Sequence, residues 1–97
     1  MRTLAVVFHR PGPKWDSALG FREQDGIAEH VAHYRALHDA GKLELGGPYL
    51  DGSGGMMIAT QDVGAEQFSA LAEADPAVAS GLLTFEVKEW FVAMDRR

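Results

Sequence analysis

The sequence predicts an α+β domain of the ferredoxin-like βαββαβ type, with a four-stranded antiparallel sheet and two principal helices. Three observations lead there. Four short segments rich in Val, Leu, Ile, Phe and Met read as strands, two longer ones repeat apolar residues at helical spacing, and Gly, Pro and Asp punctuate the junctions. Taken in order, these segments form the split βαβ arrangement. The 97 residues suit one domain spanning residues 1–97, because domains commonly hold roughly 100–150.

Thr3 to Phe8 is the first strand, with Leu4, Val6 and Phe8 facing one way and Ala5 and Val7 the other. Pro11-Gly12-Pro13 cannot continue it, so His9 to Gln24 is expected to be a long loop. Asp25 is the expected cap of the first helix and Gly41 its stop, with Ile27, Val31, Tyr34 and Leu37 as the apolar arc. Lys42 to Leu45 reads as the second strand, Gly46 to Gly55 as a Gly-dense connection, and Met56 to Thr60 as the third strand. Asp62 or Gly64 opens the second helix, which carries Phe68, Leu71 and Ala72 on its stripe. Asp75-Pro76 ends that helix and starts a short extra turn, since Pro suits a first helical position. Leu82 to Met94 is the last strand, with Trp90-Phe91 interrupting its alternation at an expected bulge.

Composition removes several function classes. Hydrophobic residues at 46% exclude a disordered chain. The absence of Cys excludes disulfides, thiolate metal sites and a Cys nucleophile. A formal charge of −5 without a basic block argues against nucleic acid as a partner. No apolar run reaches the ~18–20 residues of a membrane span. The start from Met1 to Phe8 meets His9-Arg10-Pro11 without a small-residue cleavage site, so it reads as a strand and the expectation is a cytoplasmic protein.

Right-handed crossovers bring His9, Trp15, His30, the Gly46 to Gly55 segment and Asp75 to one end of the domain. His30 falls inside the apolar arc of its helix. Two readings are open for it. Asp75 accepts from one ring nitrogen and orients the other for acid/base work, or His30 is a satisfied core residue beside an Asp that only caps the turn at Pro76. His33, at the border of the arc, is expected to be solvated, and His38 to pack or bond a terminal carbonyl. The i, i+3 pair His30/His33 has spacing that a metal could use with Glu29 or Asp75, but it lacks the HExxH context, and no metal is expected. The glycines precede a strand rather than a helix, so they form no phosphate loop. Ser53 lacks an elbow context for a nucleophile. His9 beside Arg10 reads either as a contact for an anionic ligand or as a polar strand end.

The chain resembles the YciI-like (YCII-related) family of small bacterial proteins over nearly its whole length. The resemblance rests on His30 with Tyr34, Leu37 and Gly41-Lys42-Leu43, then Gly46-Gly47-Pro48, Asp75-Pro76 with Gly81-Leu82, and Glu86-Val87-Lys88-Glu89-Trp90. It implies a dimeric α+β barrel, in which two such sheets face each other, and an active site built on His30 and Asp75. It also implies kinship with a dehydrochlorinase acting on a chlorinated hydroxyquinol, and with members fused to sigma-factor domains. The Pro11 to Trp15 loop is longer than in many relatives.

Two functions follow as expectations. In the first, His30 and Asp75 carry out cofactor-independent acid/base chemistry, an elimination or isomerisation of a small carbonyl or phenolic compound, with His9, Trp15, Tyr49 and Ser53 contacting the substrate. In the second, the same cleft binds a small ligand without turnover, or the protein serves a transcription-associated regulatory role. Both expect a homodimer, because two helices cover one sheet face and the apolar residues of the other need a partner.

Overall fold

Strand β1 runs Arg2–Pro11 in the computed structural model, which describes residues 2–97. It extends beyond the expected Phe8 because Pro11 occupies its last position, where Pro is tolerated, opposite Leu83 of the final strand. The expected loop therefore begins at Gly12, whose N–H donates to the Leu82 carbonyl at 2.8 Å. A 3-10 turn at Phe21–Glu23 interrupts the loop. Buried Gln24 holds it together: its side-chain oxygen accepts from the Asp16 N–H at 2.9 Å, and its amide nitrogen donates to the Asp16 carbonyl at 2.7 Å.

Helix α1 spans Ile27–Asp39. Its cap is Gly26, at φ 93°, and not Asp25, which is exposed. The chain enters the helix through a left-handed turn that favours Gly, and Asp25 stands one position too early to cap it. At the other end Gly41, at φ 77°, lets the Lys42 N–H reach the Leu37 carbonyl at 2.9 Å while its own N–H reaches His38 at 3.1 Å. This is the Schellman closure, and it occurs where the sequence predicts a stop.

Strand β2 covers Leu43–Pro48 and β3 covers Gly55–Ala59, so Gly46-Gly47-Pro48 belongs to a strand and not to the connection. Helix α2 runs Ala65–Glu73 behind Gly64, and α3 runs Pro76–Ala79 behind Asp75. Strand β4 covers Leu83–Val92. The sheet order is β2-β3-β1-β4 with every neighbouring pair antiparallel, the predicted ferredoxin-like topology. Among the described residues, no helix is long and apolar enough to cross a membrane.

The bulge lies elsewhere than expected. The β1–β4 register continues unbroken through Leu4↔Trp90 and Thr3↔Phe91, and both aromatic residues remain exposed at the sheet's end. Strand β2 bulges instead: Leu43 opposes Ala59 and Leu45 opposes Ile58, so two steps on one strand match one on the other. Leu43 therefore joins the helix-side core of Val7, Ala59, Phe68 and Ala72, whereas Leu45 turns to the opposite face and is 51% exposed. That second face holds Leu4, Val6, Ile58 and Val92, flanked by half-buried Phe8 and Met56. The C-terminal tail is tied to β1 through Arg2–Asp95 at 3.1 Å and to β2 through Arg97–Glu44 at 3.5 Å.

Two glycines separate conformational strain from collision. Gly41 has open space where a Cβ would stand, so Gly41→Ala is expected to lose about 1 kcal/mol from its positive φ alone. Gly54, at φ 142°, would drive a Cβ into the His9 carbonyl, and Gly54→Ala should lose clearly more. Urea denaturation of both variants checks the order, and equal losses would refute it.

Candidate active site

Four side chains that are far apart in sequence are packed into one closed cluster. His9, His30, Tyr34 and Asp75 are 2%, 4%, 4% and 0% exposed. His9 comes from β1, His30 and Tyr34 lie one turn apart on α1, and Asp75 precedes α3. Alternation sends His9 to the helix side with Val7, while Arg10 turns outward toward Glu86 at 3.6 Å. His9 and Arg10 therefore do not form a joint anion contact.

Asp75 accepts at both oxygens. Oδ1 takes the Ala77 N–H at 2.9 Å, and Oδ2 takes His30 Nδ1–H at 2.6 Å. Both readings of Asp75 are thus physically present in one carboxylate, which caps α3 and also orients the imidazole. With Nδ1 engaged, His30 presents Nε2. The only buried side-chain polar atom without a partner among the described residues is Arg2 Nε, so Nε2 keeps an opening, and His30 lines a groove between α1 and β2.

His9 stands edge-on to His30, with ring centroids 5.1 Å apart. Its Nδ1 donates to the Thr84 carbonyl at 3.2 Å, which leaves Nε2 to accept from the Tyr34 hydroxyl at 3.0 Å. Burial, reinforced by nearby His30, depresses the His9 pKa to about 4, so the ring is neutral at physiological pH. Burial, with the Asp75 charge behind it, pushes the Tyr34 phenol well above its ordinary range, so Tyr34 remains a donor.

The groove has a volume of about 430 Å³. Its inner wall is His30 and Tyr34, its outer rim Val31 and Arg35, and its floor Gly46 and Met57. A smaller recess of about 20 Å³ joins His9 and His30 to Trp15, Pro48 and Gly55. Trp15 packs half-buried against the Ile27, Leu82 and Leu83 cluster and closes this recess. Tyr49 and Ser53 stand apart at the β2–β3 hairpin. Tyr49 is 37% exposed, and the Ser53 hydroxyl donates to Asp51 at 2.6 Å. Neither lines the groove or the recess.

The remaining histidines differ from expectation. His33 is half-buried, not solvated, because its Nε2 donates to the Leu71 carbonyl at 2.7 Å and ties α1 to α2. His38 is exposed rather than packed, 3.6 Å from Asp39 at the groove's lower end. Val31 is 39% exposed because the groove, and not the core, lies beside it.

His33 thus leaves the His30/His33 metal set, and His9 takes its place: one ligand atom from each of His9, His30 and Asp75 lies within 4.8 Å of the others. The set does not suit an ion as arranged. The 2.6 Å between His30 Nδ1 and Asp75 Oδ2 is a hydrogen-bond distance, whereas tetrahedral ligands about 2.0–2.2 Å from zinc stand roughly 3.3 Å apart. Both His9 nitrogens are also engaged.

Sequence reasoning missed Tyr34 and Gln24 as organising residues. Tyr34 looks like an ordinary arc residue, and its i, i+4 spacing from His30 was the available signal. Nothing local marks Gln24.

Neutral burial of His9 has a pH consequence. The unfolded ring titrates near 6.5 and the folded one near 4, so the unfolded state binds more protons between these values. Stability should be unaffected by His9 above about pH 6.5 and fall as pH drops toward 4, by on the order of 2–3 kcal/mol. Urea melts at pH 7, 5.5 and 4 are expected to show a shallower decline for His9→Gln than for the native chain, and parallel declines would refute the assignment.

No protein-family model matches the chain. The 5-chloro-2-hydroxyhydroquinone dehydrochlorinase TftG of Burkholderia phenoliruptrix AC1100, solved in complex with 2,5-dihydroxybenzoquinone, has a similar fold. The TM-score is 0.67 over 91% of this chain and 93% of that one, at 23% identity. This likeness supports the α+β fold that the sequence predicts. The uncharacterised protein YjpA of Bacillus subtilis (strain 168) is 33% identical over 67 residues, which cover 69% of this chain and 78% of YjpA. On that relationship, the chain belongs to the family of YjpA.

Proposed function

We propose that the chain is a small-molecule enzyme of the YciI-like kind, in which His30 moves a proton to and from a small carbonyl or phenolic compound held in the α1–β2 groove. The observation that carries this reading is the 2.6 Å bond from His30 Nδ1 to the fully buried Asp75, on a His30 that lines the groove. A carboxylate on Nδ1 fixes the tautomer, so Nε2 carries the lone pair that accepts a proton. Once protonated, the ring is stabilised by the adjacent buried carboxylate and can return the proton at another atom.

The dehydrochlorinase with the similar fold supports the reaction class. Removing HCl from a hydroquinone requires a proton acceptor and a departing chloride, which one acid/base nitrogen can serve, so no cofactor enters the proposal. Trp15 and His9 would close the inner end of the site over the ring. Tyr49 and Ser53 would reach a ligand only as a hairpin contact, so they take no part in the proton transfer.

A second reading has its own observation. Asp75 also caps α3 through Ala77, so the pair joins α1 to α3 and could act as a structural clasp beside a binding groove. Chloride release from 5-chloro-2-hydroxyhydroquinone separates the two. Turnover is expected for the native chain, with a loss of roughly 10²–10⁴-fold in His30→Gln. Asp75→Asn, which keeps an oxygen for the Ala77 N–H, should lower the rate and displace the pH profile. If His30→Gln releases chloride as fast as the native chain, or the native chain binds the compound without turnover, the clasp reading stands.

The proposed functional unit is a homodimer. Phe8, Met56 and Trp90 flank a groove on the helix-free sheet face, and Trp90 is 46% exposed. Light scattering should find twice the chain's mass, and Trp90→Lys should halve it without unfolding the chain. A native monomer overturns this part.

A further inference from the structure

The rim of the groove carries one charge that the chain leaves unmatched. Val31 and Arg35 stand a turn apart along its outer edge, beside His30 and Tyr34 on the same helix. Among the described residues, no carboxylate lies within 4.0 Å of Arg35. Glu44, which lines the groove across from α1, is met by Arg97 at 3.5 Å, and Arg97 also lies 3.6 Å from Asp95.

The floor sets the shape of what fits. Gly46 carries no side chain, and the Met57 sulfur fills the place where its Cβ would stand, so the groove is bounded there by strand backbone and the Met57 thioether. Five residues of helix separate His30 from Arg35 by about 7.5 Å along the axis. Helical side chains lean toward the N-terminus, a direction in which the long Arg35 side chain can reach toward the level of His30. The two groups then span a single substituted ring.

We propose that the groove takes a planar ring acid, with its carboxylate on the Arg35 guanidinium, its ring against the Met57 thioether, and a ring hydroxyl or carbonyl at His30 Nε2. The proposal rests on the reading of His30 above and adds the substrate class. Arg is suited to the task because its planar fork matches a carboxylate in two parallel bonds. Arg97, 3.5 Å from Glu44, offsets part of the repulsion that Glu44 exerts on such a group.

The test compares hydroquinone with 2,5-dihydroxybenzoate, which adds one carboxylate to the same ring, by calorimetry at low and high salt. The native chain should bind the acid about tenfold more tightly at low salt, and the advantage should shrink as salt screens this exposed contact. Arg35→Gln should bring the two affinities together, and its unchanged melting temperature would show that the fold is intact. An acid preference that survives in Arg35→Gln, equal affinities in the native chain, or binding of neither compound overturns the proposal. Chloride release and its loss in His30→Gln are read separately, so a failure at Arg35 is distinguishable from a failure at His30.

Discussion

A carboxylate with no solvent exposure needs partners from the protein, and the architecture of this site follows from how Asp75 obtains them. Its two oxygens are taken by the backbone N–H of Ala77 and by the imidazole N–H of His30, a residue 45 positions from Asp75 in sequence. Removing a single partner from such a buried group typically costs about 3–5 kcal/mol, so the arrangement holds only as a whole. Pro76 opens α3 and puts the Ala77 N–H within reach of Asp75. That in turn requires α1 to present His30 at the same height. The docking of α1 against α3 is therefore set by one charged hydrogen bond as well as by apolar packing.

The rest of the cluster adapts to that imidazole. His9 lies edge-on to it and is kept neutral by burial, with its own protons and lone pairs matched by Thr84 and Tyr34. A charged His9 ring beside His30 would compete for the field of Asp75, and a neutral His9 avoids this. The Tyr34 hydroxyl, directed to His9, does not compete for His30 Nε2. Three polar rings thus form a packed layer in which one nitrogen remains available.

Strand β2 makes that nitrogen reachable. Its bulge between Leu43 and Leu45 moves an apolar side chain away from the helix side, and Gly46 contributes none. The gap between α1 and β2 is the groove. None of these features is visible as a pattern in the residues themselves: Lys42 to Leu45 is too short to show a bulge, and Gly46-Gly47-Pro48 reads as a turn because Gly and Pro usually punctuate. The strand forms because β3 supplies its partners. Trp90-Phe91 shows the same effect in reverse, since a break in alternation suggested a bulge where long pairing with β1 keeps the register straight.

Local chemistry was legible wherever a residue acts on its own neighbourhood. The stop at Gly41, the cap at Asp75 before Pro76, the two faces of the first strand and the order of the elements are determined by backbone preference and periodicity, which need no distant partner. The convergence of His9, Trp15, His30 and Asp75 was legible one step further, through the handedness of the crossovers. Tertiary structure alone decided the rest: that Tyr34 bonds His9, that His33 bonds Leu71 instead of water, that Gln24 organises the long loop, and that Tyr49 and Ser53 stand apart from the groove. Each of these depends on a hydrogen bond or a packing surface between segments remote in sequence. Side-chain periodicity can show which face a residue occupies, but the identity of the group opposite it is fixed only when the chain closes.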